Sequence, residues 1–184
     1  HLGLLYGKKE ILDKLPNQNH EFLEGDVPYT LNPGGPNHEE LSCLIGVYEY
    51  FNNLFQHHFP REDGTVREKI EKVNELINKH EQEIANPLLE YINSRDDIKL
   101  IGKNRIENKN RAPTIAFTMD NKSSKELSSD LVKHGIATRN DNFYAWRCLK
   151  ALGIDVDDGV VRTSMVHYNT HEDVNNLIEA LKKI

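Results

Sequence analysis

Val160-Val161-Arg162-Thr163-Ser164-Met165-Val166, then His167-Tyr168-Asn169, then Thr170-His171-Glu172-Asp173, is the stretch that decides the fold. Its first seven residues are rich in β-branched and apolar side chains, which suit a strand. Thr170 with Asp173 three residues later starts a helix. The hydroxyl and the carboxylate each satisfy a backbone N–H that the first helical turn leaves without a partner. That helix is expected to run to Lys183. A strand, a short loop and a returning helix predict an α+β layer with helices on one face of a sheet.

Working back along the chain, the same grammar repeats. Tyr144 to Leu152 predicts a helix ended by Gly153. Ile136 to Thr138 predicts a short strand. Ser123 to His134 predicts a helix, capped by Ser123 with Glu126 and closed by Gly135. Thr114 to Thr118 and Ile98 to Ile101 predict strands, separated by a basic, Asn-rich turn over Gly102 to Arg111. Residues 96–184 therefore form a small α+β domain of order β-β-α-β-α-β-α.

Upstream, Thr65 and Glu68 form another capping box, and Val66, Ile70, Val73, Ile77, Ile84, Leu88 and Tyr91 share one helical face. A helix of about 25 residues spans roughly 40 Å. Residues 63–95 are assigned as a helix bridging two domains, with Pro87 inside it as a potential kink. His38 to Phe59 predicts a helix whose stripe, Leu41, Leu44, Ile45, Tyr48, Phe51 and Phe55, is expected to be buried. Asn17 to Asn37 predicts a long loop, and Lys8 to Leu15 a short helix. Leu2 to Tyr6 predicts a buried strand. His1, in place of Met, opens directly onto that apolar run, which suggests a piece of a longer polypeptide with apolar surface exposed unless its other half is present.

The 184 residues carry 23 basic and 29 acidic side chains, a formal net charge of −6. That balance argues against a general nucleic-acid binder, which needs a basic face for phosphates. Mean hydropathy is −0.65. No apolar run approaches the ~18 residues of a membrane span, and a cytoplasmic location is expected. Cys43 and Cys148 lie in apolar helical patterns and are expected to be small buried hydrophobes. His167 and His171 are four apart, but a helix cap separates them and no third ligand is placed nearby, so no metal is expected.

Two arginines stand out. Arg162 lies inside a strand, and Arg139 follows a short apolar one. A guanidinium fork suits a carboxylate, although local pattern alone favours an exposed position for each. Gly34-Gly35-Pro36-Asn37-His38-Glu39 precedes a helix, where glycine amides can bind phosphate or simply turn the chain, and His38 can meet an anion or cap the helix.

Several strings, taken together and in order, resemble the class V aminotransferases and cysteine desulfurases, enzymes of pyridoxal-phosphate fold type I. His1-Leu2-Gly3-Leu4-Leu5-Tyr6-Gly7 resembles the segment just after the family's cofactor lysine. Gly34 to Glu39 resembles its Gly-Thr-Pro-Asn loop. Arg111 to Phe117 resembles the strand entering its small domain. Gly135 to Arg139 with Asn142-Phe143-Tyr144 is similar to the segment bearing the desulfurase cysteine. Val161 to Ser164 with His167 to Thr170 and Glu172 resembles its C-terminal motif. The resemblance implies a C-terminal portion: residues 1–62 as the tail of the large domain, then the bridge and the small domain. It implies pyridoxal 5'-phosphate as cofactor, an amino-acid substrate, a homodimer, and transferase or lyase chemistry. It assigns Arg162 to the substrate carboxylate, with Arg139 and His38 also facing substrate. It places Gly34, Gly35 and Asn37 by the cofactor phosphate of the partner subunit. Gly35 stands where the family commonly has Thr, so only its backbone N–H could serve. The Schiff-base lysine falls upstream of His1, so no catalytic residue is assigned here and this piece alone is expected to be inactive. Tyr144 falls at the position of the desulfurase nucleophile, which weakens the case for desulfuration. The alternative is a free-standing ligand- or protein-binding α+β module, or an inactive fragment.

Overall fold

The computed structural model describes residues 2–26, 29–32, 34–107 and 110–184. His1, Val27-Pro28 and Pro33 of the loop, and Asn108-Lys109 of the Asn-rich turn lie outside the described residues. The chain divides into two compact units, His1–Ile70 and Glu71–Ile184.

In the first unit, α1 covers Lys9–Leu12 and a 3-10 turn covers Glu21–Leu23. Helix α2 covers His38–His58. Phe55 alone of its described side chains is buried. The expected buried stripe is a correction: Ile45 and Tyr48 are exposed, as are Val47 and Tyr50. Periodicity tells which face of a helix is apolar, and nothing among the described residues of this unit covers most of that face. Leu2 to Tyr6 is likewise corrected from a buried strand to exposed irregular chain. No described strand lies beside it, and an unpaired strand leaves its backbone groups without partners. Cys43, on α2, is also exposed rather than buried.

Helix α3 covers Val66–Asn93 and continues through Pro87. The Thr65 N–H donates to Glu68 Oε2 at 2.8 Å, and the Glu68 N–H to Thr65 Oγ1 at 3.3 Å. The boundary between the units falls near the start of this helix. Its C-terminal half carries Ile84, Leu88, Leu89 and Ile92 into the core of the second unit.

The second unit continues with β1 (Ile98–Ile101), β2 (Thr114–Met119), α4 (Ser124–Lys133), β3 (Arg139–Asp141), α5 (Trp146–Ala151), β4 (Val160–Ser164) and α6 (His171–Leu181). Among the described residues the strands make one sheet, ordered β1-β2-β4-β3. Every neighbouring pair is antiparallel. Ile115, Phe117 and Met119 of β2 and Val161 of β4 point to one face. There they meet α3, Leu127 and Leu131 of α4, and Val174, Leu177, Ile178 and Leu181 of α6. Alternation along the strands turns Ala116, Thr118 and Arg162 to the other face, which is half covered: Val160 is buried there, and those three are half-buried. Both predicted capping boxes are present, at Ser123 with Glu126 and at Thr170 with Asp173. Buried Asn86 anchors the segment after β1: it donates to Ile106 O at 3.2 Å and accepts from the Ile106 N–H at 2.9 Å.

Two further expectations are corrected. The third strand is Arg139–Asp141, not Ile136–Thr138. The Ile136 N–H is bonded instead to Leu131 O at 3.0 Å, closing the end of α4, as a helix end with glycine at Gly135 (φ +76°) does. Cys148 on α5 is exposed, as Cys43 is.

On α4, Asp130 lies 2.5 Å from Lys122 Nζ and 2.7 Å from Lys133 Nζ. These hydrogen bonds, Lys122 first, pull its pKa from 3.8 to about 2. A carboxyl with a depressed folded pKa stabilises the fold above its unfolded value and loses that contribution as pH falls. Asp130→Asn is therefore expected to be less stable than the parent at neutral pH, with the difference shrinking from pH 3.8 down to about 2. Urea midpoints measured against pH check it, and parallel curves across that window would remove the role.

Candidate functional site

The half-covered face of the sheet owes its chemistry to strand register. Arg162 on β4 pairs with Ala116 of β2 on one side and with Arg139 of β3 on the other. Directly opposed residues of antiparallel strands project to the same face, so the row across the sheet runs Ile101, Ala116, Arg162, Arg139. Two like charges opposed in this way are unfavourable. Neither arginine has a carboxylate within ion-pair distance among the described residues. Asp141 shares the face, but its carboxylate accepts from the Asn142 N–H at 2.7 Å. Ala116 is small and leaves the β2 side of Arg162 uncrowded.

The loop after β3 completes the arrangement. Asn142 Oδ1 accepts from the Tyr144 N–H at 3.1 Å, and Asn142 O accepts from the Ala145 N–H at 2.8 Å. Asn142 Nδ2 donates to Val156 O at 3.3 Å, tying the loop to the segment that leads into β4. Phe143 and Tyr144 both take left-handed backbone angles, φ +52° and +61°, which non-glycine residues rarely adopt. The turn brings the Phe143 ring under Arg162, whose guanidinium carbon lies 3.8 Å from the ring centroid. Tyr144 stands fully exposed. Gly159 (φ +74°) packs so closely on this turn that a Cβ there would lie 2.3 Å from the Asp141 carbonyl carbon.

The structure thus brings Arg139 and Arg162 together. The contact of Phe143 with Arg162 escapes sequence reasoning, because it depends on the pairing of β3 with β4 rather than on any local pattern.

The remaining candidates belong to the first unit. Gly34 and Gly35 are exposed, and nothing described lies within 4 Å of where a Cβ would sit on either. Asn37 caps α2, its Oδ1 accepting from the Glu40 N–H at 3.0 Å. His38 begins that helix and is exposed. Glu39 and Glu40 occupy the same first turn.

Elsewhere in the second unit, His80 Nε2–H donates to Asn169 O at 2.8 Å, and its ring lies edge-on to His171. Burial pushes the neighbouring Glu81 carboxyl up, against the opposing influence of His167 and His80. Among the described residues no three His, Cys, Asp or Glu side chains could hold a metal ion. None of the described helices is long and apolar enough to cross a membrane. A groove of about 560 Å³ lies between residues 134–138 and α6, lined by Thr138, Ser164, Met165 and Leu177 among others. Neither arginine lines it.

The fold is that of part of a cysteine desulfurase. It is similar to the Escherichia coli cysteine desulfurase CsdA, with TM-score 0.65 and 22% identity over 97% of this chain and 41% of that one. A cysteine desulfurase from Thermococcus onnurineus gives TM-score 0.52 and 21% identity over 66% of this chain and 32% of that one. The aminotransferase class-V family model matches residues 67–177. The chain belongs to that family. It is 30% identical to the aminotransferase-like protein FGM3 of Gibberella zeae over its whole length, 42% of that protein. It is 25% identical to a cysteine desulfurase of Synechococcus elongatus, again over its whole length and 27% of that protein. The chain therefore spans less than half the length of these relatives.

Proposed function

We propose that this chain supplies the substrate-gripping part of a pyridoxal-phosphate-dependent enzyme that acts on an amino acid. Arg162 holds the substrate carboxylate bidentately and Arg139 assists. The observation that carries the reading is the opposed pair of guanidiniums on a half-covered sheet face, without a carboxylate of their own among the described residues. Such a pair is costly until an anion arrives, and a carboxylate matches the fork of each. Fixing that carboxylate orients the remaining bonds of the substrate, which is what positioning contributes to catalysis.

Class V members are pyridoxal-phosphate enzymes as a family. When bound, that cofactor serves as an electron sink for the substrate amino acid. The described residues fit only the edge of its site. Gly34 and Gly35 are exposed, with nothing described within 4 Å of where a Cβ would sit on either. The Asn37 side-chain oxygen is already taken by the helix cap, and Glu39 and Glu40 bring negative charge to the same helix end. What this chain contributes is the hold on the substrate carboxylate by Arg162 and Arg139. A polypeptide supplying the rest of the fold, and a second copy in a homodimer, complete the proposed enzyme. Tyr144 in place of a thiol favours transferase or lyase chemistry other than desulfuration.

The test is binding of L-alanine to the 184-residue chain, followed by NMR. Arg162→Ala is expected to weaken it about tenfold or more, as loss of a charge-assisted pair does. Alanine methyl ester, which lacks the carboxylate, is expected not to compete. Equal binding by the parent and Arg162→Ala would remove the reading. The same arginine pair would also serve a module that binds without catalysis. Turnover of an amino acid once pyridoxal phosphate and the remaining polypeptide are supplied separates the two.

A further inference from the structure

We infer that Phe143 is a positioning residue for Arg162, bracing the guanidinium so that its N–H edge faces outward for a carboxylate. The inference rests on the reading of Arg162 as the carboxylate grip. An arginine side chain has several rotatable bonds, and Arg162, half-buried on the sheet face, makes no ion pair among the described residues that would fix them. Here the Phe143 ring covers one face of the guanidinium at 3.8 Å. A cation stacked on an aromatic face is held by the ring's negative charge density. That stacking occupies the face of the planar group and leaves its N–H edge free, which is the edge a bidentate carboxylate uses.

The turn that carries the ring is held by three sets of contacts. Asn142 closes the turn on the Tyr144 and Ala145 amides. Its Nδ2 ties the turn to Val156. Gly159, which opens into β4, sits against the Asp141–Asn142 backbone with no space for a side chain. Two consecutive non-glycine residues with positive φ are the local cost of aiming the ring at β4. The turn therefore links Arg139, at the start of β3, to the brace of Arg162, four residues later.

The experiment compares the parent chain with Phe143→Leu and Phe143→Tyr, labelled with nitrogen-15 at arginine. In the parent, the Arg162 Nε–Hε resonance is expected to be displaced by the ring current and to show contacts with the Phe143 ring protons. Phe143→Leu is expected to lose that displacement and to weaken L-alanine binding roughly two- to thirtyfold, the range of a cation–π contact. Its melting temperature is expected to stay close to the parent value. Phe143→Tyr, which keeps a ring, is expected to restore both readouts. An Arg162 resonance without ring-current displacement in the parent overturns the inference, and so does unchanged binding in a folded Phe143→Leu. If Phe143→Leu does not fold, the parent spectrum and the Phe143→Tyr variant decide. Arg162→Ala separates the two readings: if it abolishes binding while Phe143→Leu does not, only the brace fails. If Arg162→Ala binds normally, the carboxylate grip itself fails.

Discussion

Phe117→Ala is expected to destabilise the second unit by about 3–5 kcal/mol, the usual cost of removing a buried aromatic ring. Phe117 is fully buried on β2, and its cross-strand neighbours are Leu100 and Val161. It belongs to the cluster formed with α3, α4 and α6, which rotamer changes alone cannot refill. Domains of this size are stable by only about 5–15 kcal/mol. The variant is therefore expected to melt on the order of 10–20 °C lower. Tyr144→Ala deletes another aromatic ring, but from a fully exposed position, and is expected to stay within about 0.5 kcal/mol of the parent. Comparable melting temperatures for the two variants would contradict the assignment of the covered face.

Gly159→Ala is expected to cost about 2–5 kcal/mol and to disable ligand binding. The left-handed conformation of Gly159 penalises any side chain by roughly 1–2 kcal/mol. A new Cβ would also overlap the Asp141 carbonyl carbon at 2.3 Å and its oxygen at 2.4 Å. Backbone cannot swing aside as the tip of a side chain can, and overpacking of that kind costs about 1–3 kcal/mol more. The displaced segment carries β3 and the Asn142 turn, so Arg139 and Phe143 both move away from Arg162. Amide exchange in β3 and affinity for L-alanine, measured on one sample, check the two consequences. A folded Gly159→Ala chain with parental affinity would sever the link between this glycine and the site.

Much of the second unit is legible in the sequence because its helices announce themselves. Ser123 with Glu126 and Thr170 with Asp173 each mark a start through their own local hydrogen bonds, as Thr65 with Glu68 does at the start of α3. Strand β3 is illegible for the opposite reason. Arg139-Asn140-Asp141 has no strand character of its own, and β4 imposes the extended conformation by pairing. Ile136 to Thr138 looks more like a strand, yet the closure of α4 draws its first amide away. Cys43, Cys148, Leu2 to Tyr6 and the α2 stripe show a second limit: apolar spacing identifies a sticky face without identifying what lies against it. As for the site, each arginine can be noticed alone. Their opposition, and the ring beneath Arg162, follow only from the strand order β1-β2-β4-β3 and its register.

That strand order has a mechanical consequence. Arg162 stands on β4, which has neighbours on both sides, whereas Arg139 and the stem of the Phe143 turn stand on β3, a three-residue strand at the rim. Short rim strands are the parts of a folded domain that open first. The proposed clamp thus has one anchored jaw and one hinged jaw. Detaching three residues would release its grip while the helices and the other strands stay assembled, so capture and release of a ligand need not disturb the core.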